Sequence, residues 1–311
     1  MWRIFLTVAL SLIVTFAQAA PLAYVPNETS GTISVIDTES DKVVGTISTG
    51  GAPRGSAAGA NHKLYASDRA DNSLIVIDRD SGKVTGRLPV GKSPEGVSAS
   101  LDGNYVAAAS EEANAVILID LRTGKALPPI PTEGKNPEHA VFSPDGRWLY
   151  VSAEEATQVD VVDVSKRAQV ASIPVGRRPR GIAFAPDGAT AWVACELEGV
   201  VVEIDVAART VRRTVKAGAF PNGVAMHPDG SRVYVSNGRD GTVSVIDRTT
   251  ASIIATIAVG KRPWNMAITP DGAKLYVANG RSDSVSVIDL DRNRVLTQIA
   301  VGKLPWGVTI R

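Results

Sequence analysis

Cysteine, histidine and aromatic residues are scarce in this chain of 311 residues, and neither sign of charge is in surplus. The one cysteine, Cys195, allows no internal disulfide and supplies no cysteine-rich zinc site or haem attachment. Three histidines, His62, His139 and His227, form no cluster in the sequence that could ligate a transition metal. Lys and Arg number 33 against 32 Asp and Glu, so no global field draws the chain to nucleic acid or an anionic membrane. Long apolar runs are missing beyond one, Ile4 to Phe16, whose thirteen residues fall short of the ~20 that a spanning helix needs. Met1-Trp2-Arg3 before it and Ala17-Gln18-Ala19 after it make it a secretory signal peptide, and no cysteine follows to carry a lipid anchor. Removal of residues 1–19 and export to the periplasm are expected, leaving 32 basic and 32 acidic residues.

Repetition is what the chain has in abundance. Ala225 to Gly260 is one whole copy: Val224-Met226, Arg232-Ser236, Thr242-Ile246 and Ile253-Val259 are strand-length apolar runs rich in Val, Ile and Tyr. Pro228-Asp229-Gly230 turns the chain tightly, since Pro presets φ and Gly accepts positive φ. Asp247 opens the last turn, where its carboxylate can accept from backbone N–H groups two or three residues on. Equivalent aspartates at 37, 78, 120, 163, 205, 247 and 289 are spaced by 41, 42, 43, 42, 42 and 42 residues. A period near forty with four strands per copy predicts an all-β, seven-bladed β-propeller of four-stranded antiparallel blades over residues 20–311. A sheet apolar on both faces must be sandwiched between neighbours, which a ring provides.

The first copy, Ala23 to Ile47, lacks its innermost strand, while the C-terminus ends at Gly307-Val308-Thr309-Ile310-Arg311 where every other copy turns into its first hairpin. The C-terminal strand is therefore expected to pair with the N-terminal strands and close the ring. The charged fourth strands, such as Thr210 to Thr214, suit polar outer edges and a monomer.

Tyr24-Val25-Pro26-Asn27, Tyr234-Val235-Ser236-Asn237 and Tyr276-Val277-Ala278-Asn279, each followed by a Val-Ile-Asp strand and a Val-Gly-x-x-Pro loop, resemble the YVTN-repeat β-propeller family. The ending Val301 to Val308 and the loop Arg178-Pro179-Arg180-Gly181 resemble a secreted subgroup associated with alcohol oxidation dependent on pyrroloquinoline quinone (PQQ). That resemblance implies a dehydrogenase or transporter component of the periplasm as partner. The chain is unlike PQQ dehydrogenases themselves, which are eight-bladed with an adjacent cysteine pair, and no bound cofactor is expected.

In a propeller the loop from one blade's outer strand to the next blade's inner strand delivers residues to one mouth of the central channel. Here that loop ends in Pro-x, which puts Arg54, Glu95, Glu138, Arg180, Asn222, Trp264 and Trp306 round the mouth, with His139 where most copies have Gly. One arc is ionic. The other is aromatic, with Trp264 and Trp306 adjacent, Phe220 near and Arg54 next in the ring, an arrangement that could stack a small planar ligand and pair its negative charge. Plugging of the channel by these side chains is the plainer alternative.

The loops between second and third strands reach the same face, where Glu111, Glu112, Glu154 and Glu155 make an acidic patch. A calcium site could use them, but solvated loop charge is the safer reading and no metal site is assigned. Lys92, Lys135, Arg177, Arg178, Lys261, Arg262 and Lys303 form a collar just outside the mouth, which gives an alternative as a site for single-stranded nucleic acid or another polyanion. A further alternative is a lactonase- or lyase-like enzyme using His139 with Glu138 or Glu95 as base, although neighbours along a strand face opposite ways. The expected function is a non-catalytic binding or accessory propeller.

Overall fold

The structure is a computed structural model that describes residues 20–311, so the signal peptide expected over residues 1–19 lies outside it. The described residues form seven antiparallel sheets and no helix. Six blades run inside to outside in chain order, from the blade of Pro53–Ala58, Lys63–Asp68, Ser73–Asp78 and Lys83–Pro89 to that of Pro263–Ile268, Lys274–Asn279, Ser284–Asp289 and Arg294–Ala300. The seventh is built from both ends of the chain. Thr309–Ile310 pairs antiparallel with Leu22–Asn27, in the register Ala23 to Ile310 and Tyr24 to Thr309. Leu22 and Arg311 also exchange backbone hydrogen bonds of 2.9 and 3.0 Å.

Local chemistry explains why each copy folds alike. The repeat aspartates accept from the backbone as expected: Asp37 from Ser40 N–H at 2.7 Å, Asp205 from Ala208 at 2.8 Å, Asp247 from Thr250 at 2.8 Å. The asparagine ending the Tyr-Val-x-Asn segment is buried and structural, Asn237 Nδ2 donating to Thr242 Oγ1 at 3.0 Å and Ser244 Oγ at 2.9 Å. One blade departs from the pattern. Its outer strand is split into Lys125–Ala126 and Ile130–Pro131 because Pro128 and Pro129 cannot donate to the ladder.

The core lies between blades. Tyr150, Val159 and Val161 of one sheet pack with Ala191, Val193 and Val202 of the next, and equivalent clusters recur round the ring. Because no blade can bury its faces alone, stability is shared by neighbours.

Two features of the inner strands build the mouth. Each full-length inner strand breaks its ladder just after the leading proline, between Pro53 and Ser56 or Pro94 and Val97, for example, and such a bulge re-aims the residues within it. In most copies the residue after the mouth residue is glycine, for want of space: a Cβ on Gly55 would sit 2.4 Å from the Glu95 carbonyl oxygen, and one on Gly223 2.5 Å from that of Trp264.

Candidate ligand-binding site at the channel mouth

The mouth holds a cavity of about 220 Å³. Arg54, Glu95, Glu138, Arg180, Asn222, Trp264 and Trp306 all line it, so six inner strands and the closing segment deliver one residue each, as the repeat predicts. A second tier comes from the residue that follows each second strand: Glu28, Arg69, Glu111 and Glu154. Glu196 holds the same position in the next blade, where it pairs with Arg180.

The charges are knitted together. Arg180, largely buried, donates to Glu138 at 2.7 Å, to Glu196 at 2.8 Å and lies 3.3 Å from Glu154. Arg178 pairs with Glu154 and, at 3.3 Å, with Glu196, and Arg262 reaches the other oxygen of Glu196 at 2.8 Å. Arg54 holds Glu28 at 2.8 Å and also pairs with Glu95. Six glutamates, at 28, 95, 111, 138, 154 and 196, thus meet five arginines, at 54, 69, 178, 180 and 262.

Burial and neighbours drive the carboxyls apart. Burial, reinforced by the charge of Glu138, pushes Glu95 up to about 9. Burial acts the same way on Glu138, but Arg180, His139 and Arg54 outweigh it and hold that group below the usual carboxylate range. Glu196 is likewise lowered against its burial by Arg180 and Arg262, whereas burial wins at Glu154 and raises it. The three glutamates raise Arg180 despite its burial.

Several expectations need correction. Arg54 commits its two terminal nitrogens to Glu28 and Glu95 and does not stand ready beside an aromatic pair. Trp264 and Trp306 do not stack on each other: Trp264 lies over Gly280, where a Cβ would be 2.4 Å from its ring, while Trp306 stacks on His139 with centroids 5.5 Å apart and planes 23° apart. His139 belongs to a blade on the far side of the ring, so this contact crosses the axis. The histidine is buried, which lowers its pKa, and it does not line the cavity. Phe220 lies outside, with the guanidinium groups of Arg239 and Arg262 at 5.6 and 5.7 Å from its ring centre. The basic collar is not uniform. Lys92, Lys135, Arg177, Lys261 and Lys303 are exposed, whereas Arg178 and Arg262 turn inward into ion pairs. The acidic patch divides too: Glu112 and Glu155 are solvated, as expected, but Glu111 and Glu154 face the cavity.

Glu28 is the mouth residue that sequence reasoning missed. Its signal was positional, because it follows the second strand of its blade as Glu111, Glu154 and Glu196 follow theirs. Arg178 and Arg262, each the residue before its proline, are left-handed, with φ of 57° and 53°. Ser93, Asn136, Phe220 and Leu304 share that conformation, so the strain belongs to the repeat and not to any one site.

Cys195 is fully buried, accepts from Gly176 N–H at 3.3 Å and has its thiol pushed up to about 12 by burial, so it serves as a small core residue.

With this geometry in place, comparison with known proteins adds the following. A family model described as Lactonase, 7-bladed beta-propeller matches residues 164–300. That span includes Arg178, Arg180, Glu196, Asn222, Arg262 and Trp264 but not Glu95, Glu111, Glu138, His139 or Glu154. No curated protein matches. Among solved structures, hydrazine synthase of Kuenenia stuttgartiensis superposes with a TM-score of 0.76 at 22% identity, over 83% of this chain and 89% of that one. A functionally unknown protein from Desulfotomaculum acetoxidans DSM 771 gives 0.81 at 17% identity, over 94% and 99%. Dihydro-heme d1 dehydrogenase NirN in complex with DHE gives 0.71 at 17% identity, over 96% and 77%. At such identities the likeness speaks for the fold alone.

Proposed function

We infer that this chain is an exported, non-catalytic binding propeller whose channel mouth takes a small polar ligand, and that it works as an accessory factor beside PQQ-dependent alcohol oxidation. The observation that carries the binding role is the buried ion-pair network round Arg180. Such networks add little stability compared with apolar packing, and they are costly when one partner is lost. Their value lies in fixing donors and acceptors in space before a ligand arrives. Among the described residues the cavity lining includes no Ser, Thr, Cys, Lys or His, which leaves glutamate carboxylates as the only nucleophile type facing it. The lining holds five glutamates and five arginines; Arg54, Arg178, Arg180 and Arg262 are each committed to glutamates, while Arg69 forms no ion pair among the described residues. An anion could reach only Arg69 without displacing a glutamate, so the carboxylate oxygens that the ion pairs leave open, such as Oε2 of Glu95, favour a ligand offering positive charge or hydrogen-bond donors. The resemblance of Val301 to Val308 and of the Arg178 loop to the PQQ-associated subgroup supports the setting and the choice of a periplasmic dehydrogenase or transporter component as partner.

The test uses tryptophan fluorescence and calorimetry against small molecules of a periplasmic extract. Binding that quenches the wild-type signal should be lost when Trp264→Ala and Trp306→Ala are combined in a folded variant. If that double variant keeps every interaction of the wild type, the site is elsewhere.

A second reading, hydrolysis of a lactone, is favoured by the family match over residues 164–300. The base would then have to be Glu138 or Glu95, because His139 does not line the cavity and stacks on Trp306. Turnover of a lactone panel, abolished by Glu138→Gln or by Glu95→Gln, would establish this reading. No turnover of any lactone would remove it.

A further inference from the structure

We propose that the mouth holds one hard divalent cation of the calcium type, bound by carboxylate oxygens of Glu95, Glu111, Glu138 and Glu154. The proposal deepens the binding role inferred above and rests on it.

Glu111, Glu138 and Glu154 each present a carboxylate oxygen within 4.8 Å of the other two. The ion pairs leave these groups half free: Arg180 engages Oε1 of Glu138 and Oε1 of Glu154, and Ser93 Oγ donates to Oε2 of Glu111 at 2.8 Å. The second observation is independent of that cluster. Glu95 is 1% exposed and lines the same cavity; Arg54 takes its Oε1, while its Oε2 has no partner among the described residues. A buried acceptor left without a donor costs about 1–3 kcal/mol, and here its nearest like charges are Glu138 and Glu111. A cation held by Glu111, Glu138 and Glu154 would draw in this orphan oxygen as a further ligand and offset the repulsion among those three carboxylates.

Chemistry selects the ion. Three clustered carboxylate oxygens, with Glu95 as a fourth from the same cavity and water to complete the shell, suit the six to eight oxygen ligands of calcium, and among the described residues no imidazole or thiolate lines the space to favour a transition metal. Arg54, Arg180 and Ser93, each holding the opposite oxygen of a ligand carboxylate, would orient the set from behind. Glu95 and Glu111 belong to the blade with the split outer strand, and Glu138 and Glu154 belong to the blade after it, so the ion would tie those two together.

The experiment is calcium titration calorimetry on the chelator-stripped, signal-free protein, with terbium luminescence excited through Trp264 and Trp306 as the second readout. One calcium per chain, bound at roughly millimolar concentration or below, is expected, together with sensitised terbium emission that calcium displaces. Glu111→Gln and Glu154→Gln should each weaken binding about tenfold or more, while the solvated neighbour Glu112→Gln leaves it unchanged. Melting curves in chelator would show that the variants are folded. No calcium heat in the wild type, or equal affinity in Glu111→Gln and Glu154→Gln, overturns the assignment. If calcium fails to bind while a small molecule still quenches Trp264 and Trp306, the cation falls and the binding role stands. Loss of both removes the binding role as well.

Discussion

Glu95 allows the electrostatics of the mouth to be tested as a stability measurement. Its carboxyl is buried beside Glu138 and is pushed up from an ordinary value of 4.5 to about 9. A folded carboxyl raised in this way binds its proton more tightly than the unfolded chain does. Its contribution to stability is then greatest below pH 4.5 and is lost steadily as pH rises towards 9. At pH 7 about 2.5 pH units of that window have been crossed, and at 1.36 kcal/mol per unit the cation-free fold has given up about 3 kcal/mol. Glu95→Gln keeps the shape and the acceptor that Arg54 uses, but it cannot ionise. The variant should therefore be more stable than the wild type by about 3 kcal/mol at pH 7, by roughly half that near pH 5.5, and by nothing at pH 4.5. Urea unfolding in chelator at those three pH values, followed by far-UV circular dichroism, measures the difference directly. A variant less stable than the wild type at pH 7, or a gap that does not change with pH, would refute the reasoning. Either result would mean that Glu95 is an ionised partner of Arg54 whose attraction outweighs both burial and Glu138.

Two further outcomes follow from the fold. Deleting Gly307 to Arg311 removes the paired Leu22–Arg311 bonds and both bonds from Thr309 to Ser56, and it strips Val308 and Ile310 from the cluster round Tyr276; at about 1 kcal/mol per bond plus the lost apolar burial, roughly 5 kcal/mol goes. That approaches the whole stability of many domains, so the truncated chain should unfold at a much lower urea concentration or fail to fold, and an unchanged midpoint would mean that the clasp does not close the ring. Cys195 should not react with a thiol reagent in the native protein and should react fully in denaturant, because it is buried and its thiol titrates near 12; rapid native labelling would show that its blade opens.

The fold was legible because the repeat writes the same local chemistry seven times, with aspartates at nearly equal spacing and Pro-Asp-Gly hairpins in four copies. Even the clasp could be read, since a missing first strand at one end and an orphan strand at the other can satisfy each other. The mouth was legible by position and not by contact. Register places a residue after each proline at the rim, but rotamer choice decides its partner, and that choice depends on neighbours in other blades. Arg54 turns to Glu28 because Glu28 follows Asn27 in the clasped blade, a copy whose divergent turn conceals its equivalence to the others. Trp264 and Arg262 lie over Gly280 and Gly238, where other copies carry a charged side chain, so small residues in one tier decide where large ones in another can go. Spacing alone carries no trace of that packing.

The clasp and the mouth are also mechanically one device. Trp306 sits in the closing segment, where its N–H donates to the Pro26 carbonyl at 3.0 Å, and its ring reaches across the axis to His139. Glu28 follows the strand that this segment pairs with; its N–H donates to the Leu304 carbonyl at 3.0 Å and its carboxylate holds Arg54. Arg54 in turn holds Glu95. Contacts made at the rim therefore bear on the two chain ends through Trp306 on one side and through Glu95, Arg54 and Glu28 on the other. A ligand that tightens those contacts must favour the closed ring, since whatever binds the folded mouth and not the open chain stabilises the former by mass action.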